Sequence, residues 1–122
     1  ADYFHTANDE TLLIILIEDI IAVENLDEIL AVDHIDVFFI APNDLAATMG
    51  HIGNIDHPEV QKTIDDTFAR IHAAGRTSGY TASNDTVAHY AKMGVRCFLT
   101  GTGGWIAQGA ADYLQKAQNA LS

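Results

Sequence analysis

Four short apolar runs, each followed by a segment whose apolar residues recur at helical spacing, restrict the possible folds of this chain more than any other feature. The first, Leu12 to Ile17, is leucine and isoleucine without alternation, which predicts a strand covered on both faces, as in a parallel sheet. Behind it, Asp19 to Leu30 places Ile21, Val23, Leu26, Ile29 and Leu30 at helical spacing and turns Glu24, Asp27 and Glu28 outward, predicting one amphipathic helix. The second run, Val37 to Ala41, stops at Pro42, which lacks an N–H and biases the residue before it toward extended geometry. Pro42 to Asp56 then reads as a long loop, with Gly50, Gly53 and Asn54 supplying turn chemistry. A helix follows, capped by Asp56 or His57, with Pro58 in its first turn, Val60, Ile64, Phe68 and Ile71 on one face, and Gly75 as its stop. A strand over Thr77 to Thr81, a helix from Ser83 or Asn84 to Met93 stopped by Gly94, and a strand over Val95 to Thr100 come next. The last helix runs to Leu121 with Ile106, Ala110, Tyr113, Leu114, Ala117 and Leu121 expected to face inward, and Ala1 to Thr11 read as the tail of an earlier helix and its turn.

The order βαβαβαβα implies a parallel sheet with right-handed crossovers. Two architectures satisfy it: a four-stranded flavodoxin-like sheet, or half of an eight-stranded (β/α) barrel, which as a whole takes about 250 residues. At 122 residues and 48% apolar content, the chain can build one real core. A formal net charge of −11 repels phosphate backbones and anionic lipid surfaces, so neither nucleic acid nor membrane is an expected partner. No apolar run approaches the roughly 20 residues that cross a bilayer, and the first Lys or Arg is Lys62, so no basic signal-peptide start is present and a cytoplasmic location is expected. The single cysteine, Cys97, makes no internal disulfide and is expected to be buried and inert within its strand.

Chemistry is expected at the carboxyl ends of the strands, where open and closed parallel sheets bind their ligands. Glu18 ends the first strand and Asp44 lies just past the second, so the two carboxylates are expected to converge on one spot. Oxygen ligands of this kind suit Mg²⁺ or Mn²⁺. Read singly, Glu18 is a polar strand terminus and Asp44 a loop cap. Of the histidines, His51 and His57 flank the Gly53-Asn54 turn near Asp44, where an imidazole can titrate near neutral pH, although loop polarity and helix capping account for both. His5, His34, His72 and His89 are expected to be solvated. Trp105, after Gly103-Gly104, either lines the site mouth or makes a subunit contact, and the Gly101 to Gly104 turn lacks the spacing and lysine of a phosphate loop.

The segments IEDIIAVENLDEIL, IDVFFIAPNDLAATMGHIGNIDHPEV and AAGRTSGY resemble the metal-dependent pyruvate aldolases of the HpcH/HpaI family, which include 4-hydroxy-2-oxoheptanedioate aldolase and 2-dehydro-3-deoxyglucarate aldolase. The likeness extends over nearly the whole chain. It implies a (β/α)₈ TIM barrel of the phosphoenolpyruvate/pyruvate superfamily, of which this chain resembles the C-terminal half, strands 5 to 8. It also implies reversible retro-aldol cleavage of a 4-hydroxy-2-oxo acid to pyruvate and an aldehyde through a metal-stabilised enolate. The implied cation is Mg²⁺, Mn²⁺ or Co²⁺, held by Glu18 and Asp44, with the backbone N–H groups of Asn43 and Asp44 in the Ala41-Pro42 loop binding the substrate carboxylate. Ala41 stands where the family carries glycine, and Thr81 where it carries an apolar residue on the aldehyde side. The family's His–Asp pair and its Arg belong to the N-terminal half, so the resemblance implies a partner, either that half-barrel or another copy of the chain within a homo-oligomer, commonly a hexamer. The alternative is a non-catalytic half-barrel that binds metal or pyruvate.

Overall fold

The computed structural model describes residues 2–121. The chain begins with α1 (Tyr3–Glu10) and enters β1 (Ile14–Ile17), which leads through α2 (Ile20–Glu24) and α3 (Leu26–Leu30) to β2 (Val37–Ile40). Next come α4 (Pro42–Thr48), α5 (Pro58–Ala73), β3 (Ser78–Thr81), α6 (Val87–Met93), β4 (Cys97–Leu99) and α7 (Gly103–Leu121). The four strands form one parallel sheet in the order β1-β2-β3-β4. That order decides between the two architectures. A flavodoxin-like sheet reverses its winding and pairs strands out of sequence, whereas a barrel wall adds each strand beside the last. The fold is a (β/α)₄ half-barrel.

Strand alternation gives the sheet two unlike faces. Ile17, Phe38, Ile40 and Tyr80 point to the helical layer and meet Leu26 and Leu30 of α3, Leu45 and Ala46 of α4, and Val60, Ile64, Phe68 and Ile71 of α5 in one buried cluster. The other face carries Ile14, Leu16, Val37, Phe39, Gly79, Cys97 and Leu99. Leu16 is 54% and Leu99 60% exposed there, so β1 is covered on one side only, unlike the doubly covered strand its composition predicts. Arg76 ties the layers: its guanidinium donates to the carbonyls of Leu30, Val32 and Ile35 and lies 4.9 Å from the Phe38 ring centroid. Those carbonyls end α3 and its turn, where helical acceptors would otherwise be unmet.

Several expectations are corrected. The segment from Asp19 to Leu30 is two helices, because Asn25 interrupts it and its side-chain amide donates to the Ile21 carbonyl at 2.8 Å. The expected loop after Pro42 opens instead as α4, with Pro42 in its first turn and Leu45 and Ala46 buried against the core; only residues 49–57 form the turn. The helix before Met93 begins at Val87, since the Thr86 hydroxyl accepts the Ser83 N–H and holds residues 83–86 as a turn. All of α7 is exposed, Ile106 at 71% and Tyr113 at 73%, so its apolar face is not turned inward. The neighbouring β4 is only three residues long, and Tyr90 and Met93 of α6 join Phe98 at that end of the core. Cys97 is half-buried and not sealed. His72 is not solvated either, because its Nε2 lies 2.7 Å from the hydroxyl of buried Ser78. Among the described residues, no helix is long and apolar enough to cross a membrane.

Candidate active site

The site candidates sit on the carboxyl edge of the sheet. Ile17 is in register with Ile40, Ile40 with Tyr80, and Thr81 with Leu99. One step further along the ladder, Glu18, Ala41, Thr81 and Leu99 make a row across the rim on the open face. Bonds from Ala41 N–H to the Ile17 carbonyl at 3.1 Å and from Ala82 N–H to the Leu99 carbonyl at 3.0 Å carry the ladder that far. The row beneath is Leu16, Phe39, Gly79 and Cys97. Gly79 makes room in that row, since a Cβ there would lie 2.5 Å from Phe39 Cδ2 and 3.0 Å from Val37 Cγ1.

Glu18 is half-buried and Asp44, in the first turn of α4, is exposed. Among the described residues neither carboxylate takes part in an ion pair or side-chain hydrogen bond. Asp19, beside Glu18, instead caps α2 by accepting the Ile21 N–H at 2.8 Å. The two segments are clipped together by Thr48, a residue that sequence reasoning passed over. Its hydroxyl accepts the Ile20 N–H at 3.1 Å and donates to the Leu45 carbonyl at 3.0 Å. The turn that carries Glu18 is thereby fastened to the helix that carries Asp44. At the start of α4, the N–H groups of Asn43 and Asp44 fall in the first turn, where a helix offers no internal acceptor.

Pro42, Asn43 and Thr81 border a cavity of about 280 Å³ together with Asp56, Tyr80 and Thr86. Glu18 and Asp44 do not line it, and Thr81 alone of the candidates belongs both to this cavity and to the rim row. The Tyr80 phenol is held protonated well above its ordinary range, first by burial and then by its hydrogen bond with Tyr90. A larger cavity of about 590 Å³ lies at the opposite, amino end of β1 and β2, among Asn8, Asp9, His34 and Asp36, away from the carboxylates. Trp105 stands at the carboxyl rim beyond β4, where its Nε1–H donates to Asn84 Oδ1 at 2.8 Å. His57 caps α5, its Nδ1 accepting the Glu59 N–H at 3.3 Å, as the sequence implied.

Against known proteins, residues 2–115 match the HpcH/HpaI aldolase/citrate lyase family. The chain belongs to that family. A hydroxypyruvate/pyruvate aldolase of Roseovarius nubinhibens is 45% identical over 101 residues, which is 82% of this chain and 39% of that protein. A 4-hydroxy-2-oxo-heptane-1,7-dioate aldolase of Klebsiella pneumoniae is 45% identical over 94 residues, 76% of this chain and 36% of that one. The crystal structure of an HpcH/HpaI aldolase/citrate lyase family protein from Burkholderia cenocepacia superposes with a TM-score of 0.83 at 30% identity, covering 96% of this chain and 46% of that chain. The chain therefore spans less than half the length of these HpcH/HpaI relatives. The consecutive strand order and the single open face are those of part of a barrel wall.

Proposed function

We propose that the protein to which these residues belong cleaves a 4-hydroxy-2-oxo acid to pyruvate and an aldehyde, in a reversible retro-aldol reaction that depends on a divalent cation. The observation that carries this reading is the pair Glu18 and Asp44, free of ion pairs among the described residues and leaving neighbouring paired strands at the carboxyl edge of an HpcH/HpaI half-barrel. Two carboxylates form an all-oxygen donor set, which fits Mg²⁺ or Mn²⁺, with Co²⁺ as a further candidate. A bound cation supplies Lewis-acid stabilisation of negative charge on the substrate's C2 carbonyl oxygen.

The remaining steps fall to side chains and backbone. The N–H groups of Asn43 and Asp44 orient the C1 carboxylate at the start of α4, where Pro42 fixes the turn. Ala41 and Thr81 lie in the rim row with Glu18, Ala41 as floor and the Thr81 hydroxyl toward the aldehyde. The base that takes the hydroxyl proton and the Arg beside the oxyanion come from the complementary half-barrel, which in this reading also covers Ile14, Leu16 and Leu99. Further copies complete a homo-oligomer.

Manganese binding tests the reading in the full protein, by electron paramagnetic resonance and calorimetry. Glu18→Gln and Asp44→Asn should each lower Mn²⁺ affinity at least tenfold, and undiminished affinity in both would place the cation elsewhere. The 122 residues alone, given Mn²⁺ and a 4-hydroxy-2-oxo acid, should cleave only at background rates. General acid–base assistance contributes about 10²–10⁴ in rate and an oxyanion contact about 10²–10³.

A further inference from the structure

The turn between α4 and α5 gathers a donor set unlike that of the two carboxylates. One ligand atom each from His51, His57 and Glu59 lies within 4.8 Å of the other two. His51 Nε2 stands 3.1 Å from Glu59 Oε2, and the two imidazoles stack with centroids 3.7 Å apart and planes 17° from parallel. We propose that His51, His57 and Glu59 form a second metal site, selective for a borderline cation such as Zn²⁺ or Ni²⁺.

The backbone builds this cluster before any side chain contributes. The His51 N–H donates to the Ala46 carbonyl at 2.7 Å and closes α4; Asn54 N–H then donates to the His51 carbonyl at 2.9 Å and His57 N–H to the Asn54 carbonyl at 3.2 Å. Gly50 and Gly53 hold φ of +87° and +72°, left-handed geometry that glycine adopts without strain. The chain therefore doubles back between His51 and His57 and sets their rings face to face. Glu59 enters from the first turn of α5.

Ligand type separates this site from the other. Two imidazole nitrogens and one carboxylate favour zinc, nickel or copper, whereas hard Mg²⁺ prefers oxygen alone. Zinc holds such donors at about 2.0–2.2 Å, which sets tetrahedral neighbours about 3.4 Å apart, so the cluster must contract by a little over 1 Å at its widest. Glu59 is exposed and both imidazoles are partly exposed, so side-chain rotation alone accomplishes this. A cation in the plane of both rings requires one imidazole to swing out of the stack. The loaded site therefore exchanges the ring stack, and the 3.3 Å cap at His57 Nδ1 where that ring turns, for coordinate bonds. Three protein donors leave a coordination position for water. Loading pins the turn that joins α5 to α4, the helix bearing Asn43 and Asp44.

The full chain should be titrated with Zn²⁺ by calorimetry, and with Cu²⁺ while its paramagnetic resonance spectrum is followed. The expected Cu²⁺ signal carries coupling to two imidazole nitrogens, which an all-oxygen site cannot produce. His51→Gln and Glu59→Gln should each weaken Zn²⁺ binding at least tenfold while keeping the parent far-ultraviolet dichroism, and Glu18→Gln should keep the nitrogen-coupled Cu²⁺ signal, which the all-oxygen pair does not produce. Using both variants covers the case in which one fails to fold. Undiminished Zn²⁺ affinity in His51→Gln, a Cu²⁺ spectrum without nitrogen coupling, or loss of the nitrogen-coupled signal in Glu18→Gln alone would each overturn the site. Mn²⁺ at the carboxylates is read out by its own titration in Glu18→Gln and Asp44→Asn, so the two metal readings fail separately.

Discussion

Substituting Gly79 by alanine tests the packing of the row beneath the rim. The new methyl would lie 2.5 Å from Phe39 Cδ2 and 3.0 Å from Val37 Cγ1, whereas carbons rest at about 3.5–4.0 Å. The Phe39 ring must retreat by about 1 Å, yet Phe39 is only 6% exposed and Val37 4%, so little free space receives it. Overpacking of this kind costs about 1–3 kcal/mol. Against it stands about 0.4–1 kcal/mol gained because alanine restricts the unfolded chain, a gain available here since Gly79 is not among the positive-φ glycines. The net loss is about 1–2 kcal/mol, which lowers Tm by about 3–10 °C in a domain of this size. Urea unfolding and calorimetry on the wild type and Gly79→Ala measure it. The decisive comparison uses Phe39→Ala as background: with the ring removed, Gly79→Ala should turn neutral or stabilising. An equal loss in both backgrounds, or no loss in the wild type, would refute the steric account.

Thr48→Val removes the acceptor of the Ile20 N–H and the donor to the Leu45 carbonyl, so stability should fall by about 1 kcal/mol, with Thr48→Ser retaining it. If the clip also orders the two carboxylates, Mn²⁺ affinity should fall several-fold in Thr48→Val and recover in Thr48→Ser; unchanged affinity in Thr48→Val would confine the hydroxyl to a structural role. Tyr80 predicts a pH dependence. Its folded pKa lies above the ordinary 10.0, so above that pH the unfolded chain loses the proton while the folded one keeps it, and stability declines as pH rises. Chemical denaturation between pH 9 and 11 should show that decline reduced in Tyr80→Phe, and an identical decline in both proteins would show that Tyr80 is not its source.

The legible parts of the sequence were those governed by local periodicity. The apolar runs at β1 and β2 and the spacing of Val60, Ile64, Phe68 and Ile71 announced their elements, and His57 with Pro58 announced the start of α5. What was not legible depended on side-chain bonds and burial that periodicity does not encode. The break at Asn25 is a single side-chain bond to the Ile21 carbonyl, and helical spacing runs straight through it. Helix α4 was concealed because Pro42 ends a strand and begins a helix in one step, a double role that the burial of Leu45 and Ala46 decides. Thr48 gave no signal because its partner, Ile20, lies 28 residues away. The His51, His57 and Glu59 cluster had a partial signal in the two glycines that fold the turn, although spacing alone does not show that the rings meet.

Charge placement bears on how Glu18 and Asp44 are left without a bonded base. No Lys or Arg occurs before Lys62, so the half of the chain that forms β1, β2 and α4 has no cation of its own. Several acids in that half are answered by other means. Asp36 accepts the Leu13 N–H at 2.7 Å, Asp19 caps α2, Asp27 pairs with Arg70 and Glu59 meets His51. Three further bases of the second half bond elsewhere: Arg76 to the carbonyls ending α3, Arg96 to the Ala91 and Val95 carbonyls, and Lys62 to Asp66. Two carboxylates on neighbouring strand exits, with no bonded base beside them, leave their charge to be answered by a cation from solution. A divalent ion answers it while leaving both groups as ligands, which is the arrangement the proposed reaction requires. A lysine introduced beside them, as in Ala41→Lys, would answer the same charge internally and should therefore compete with Mn²⁺ for the pair.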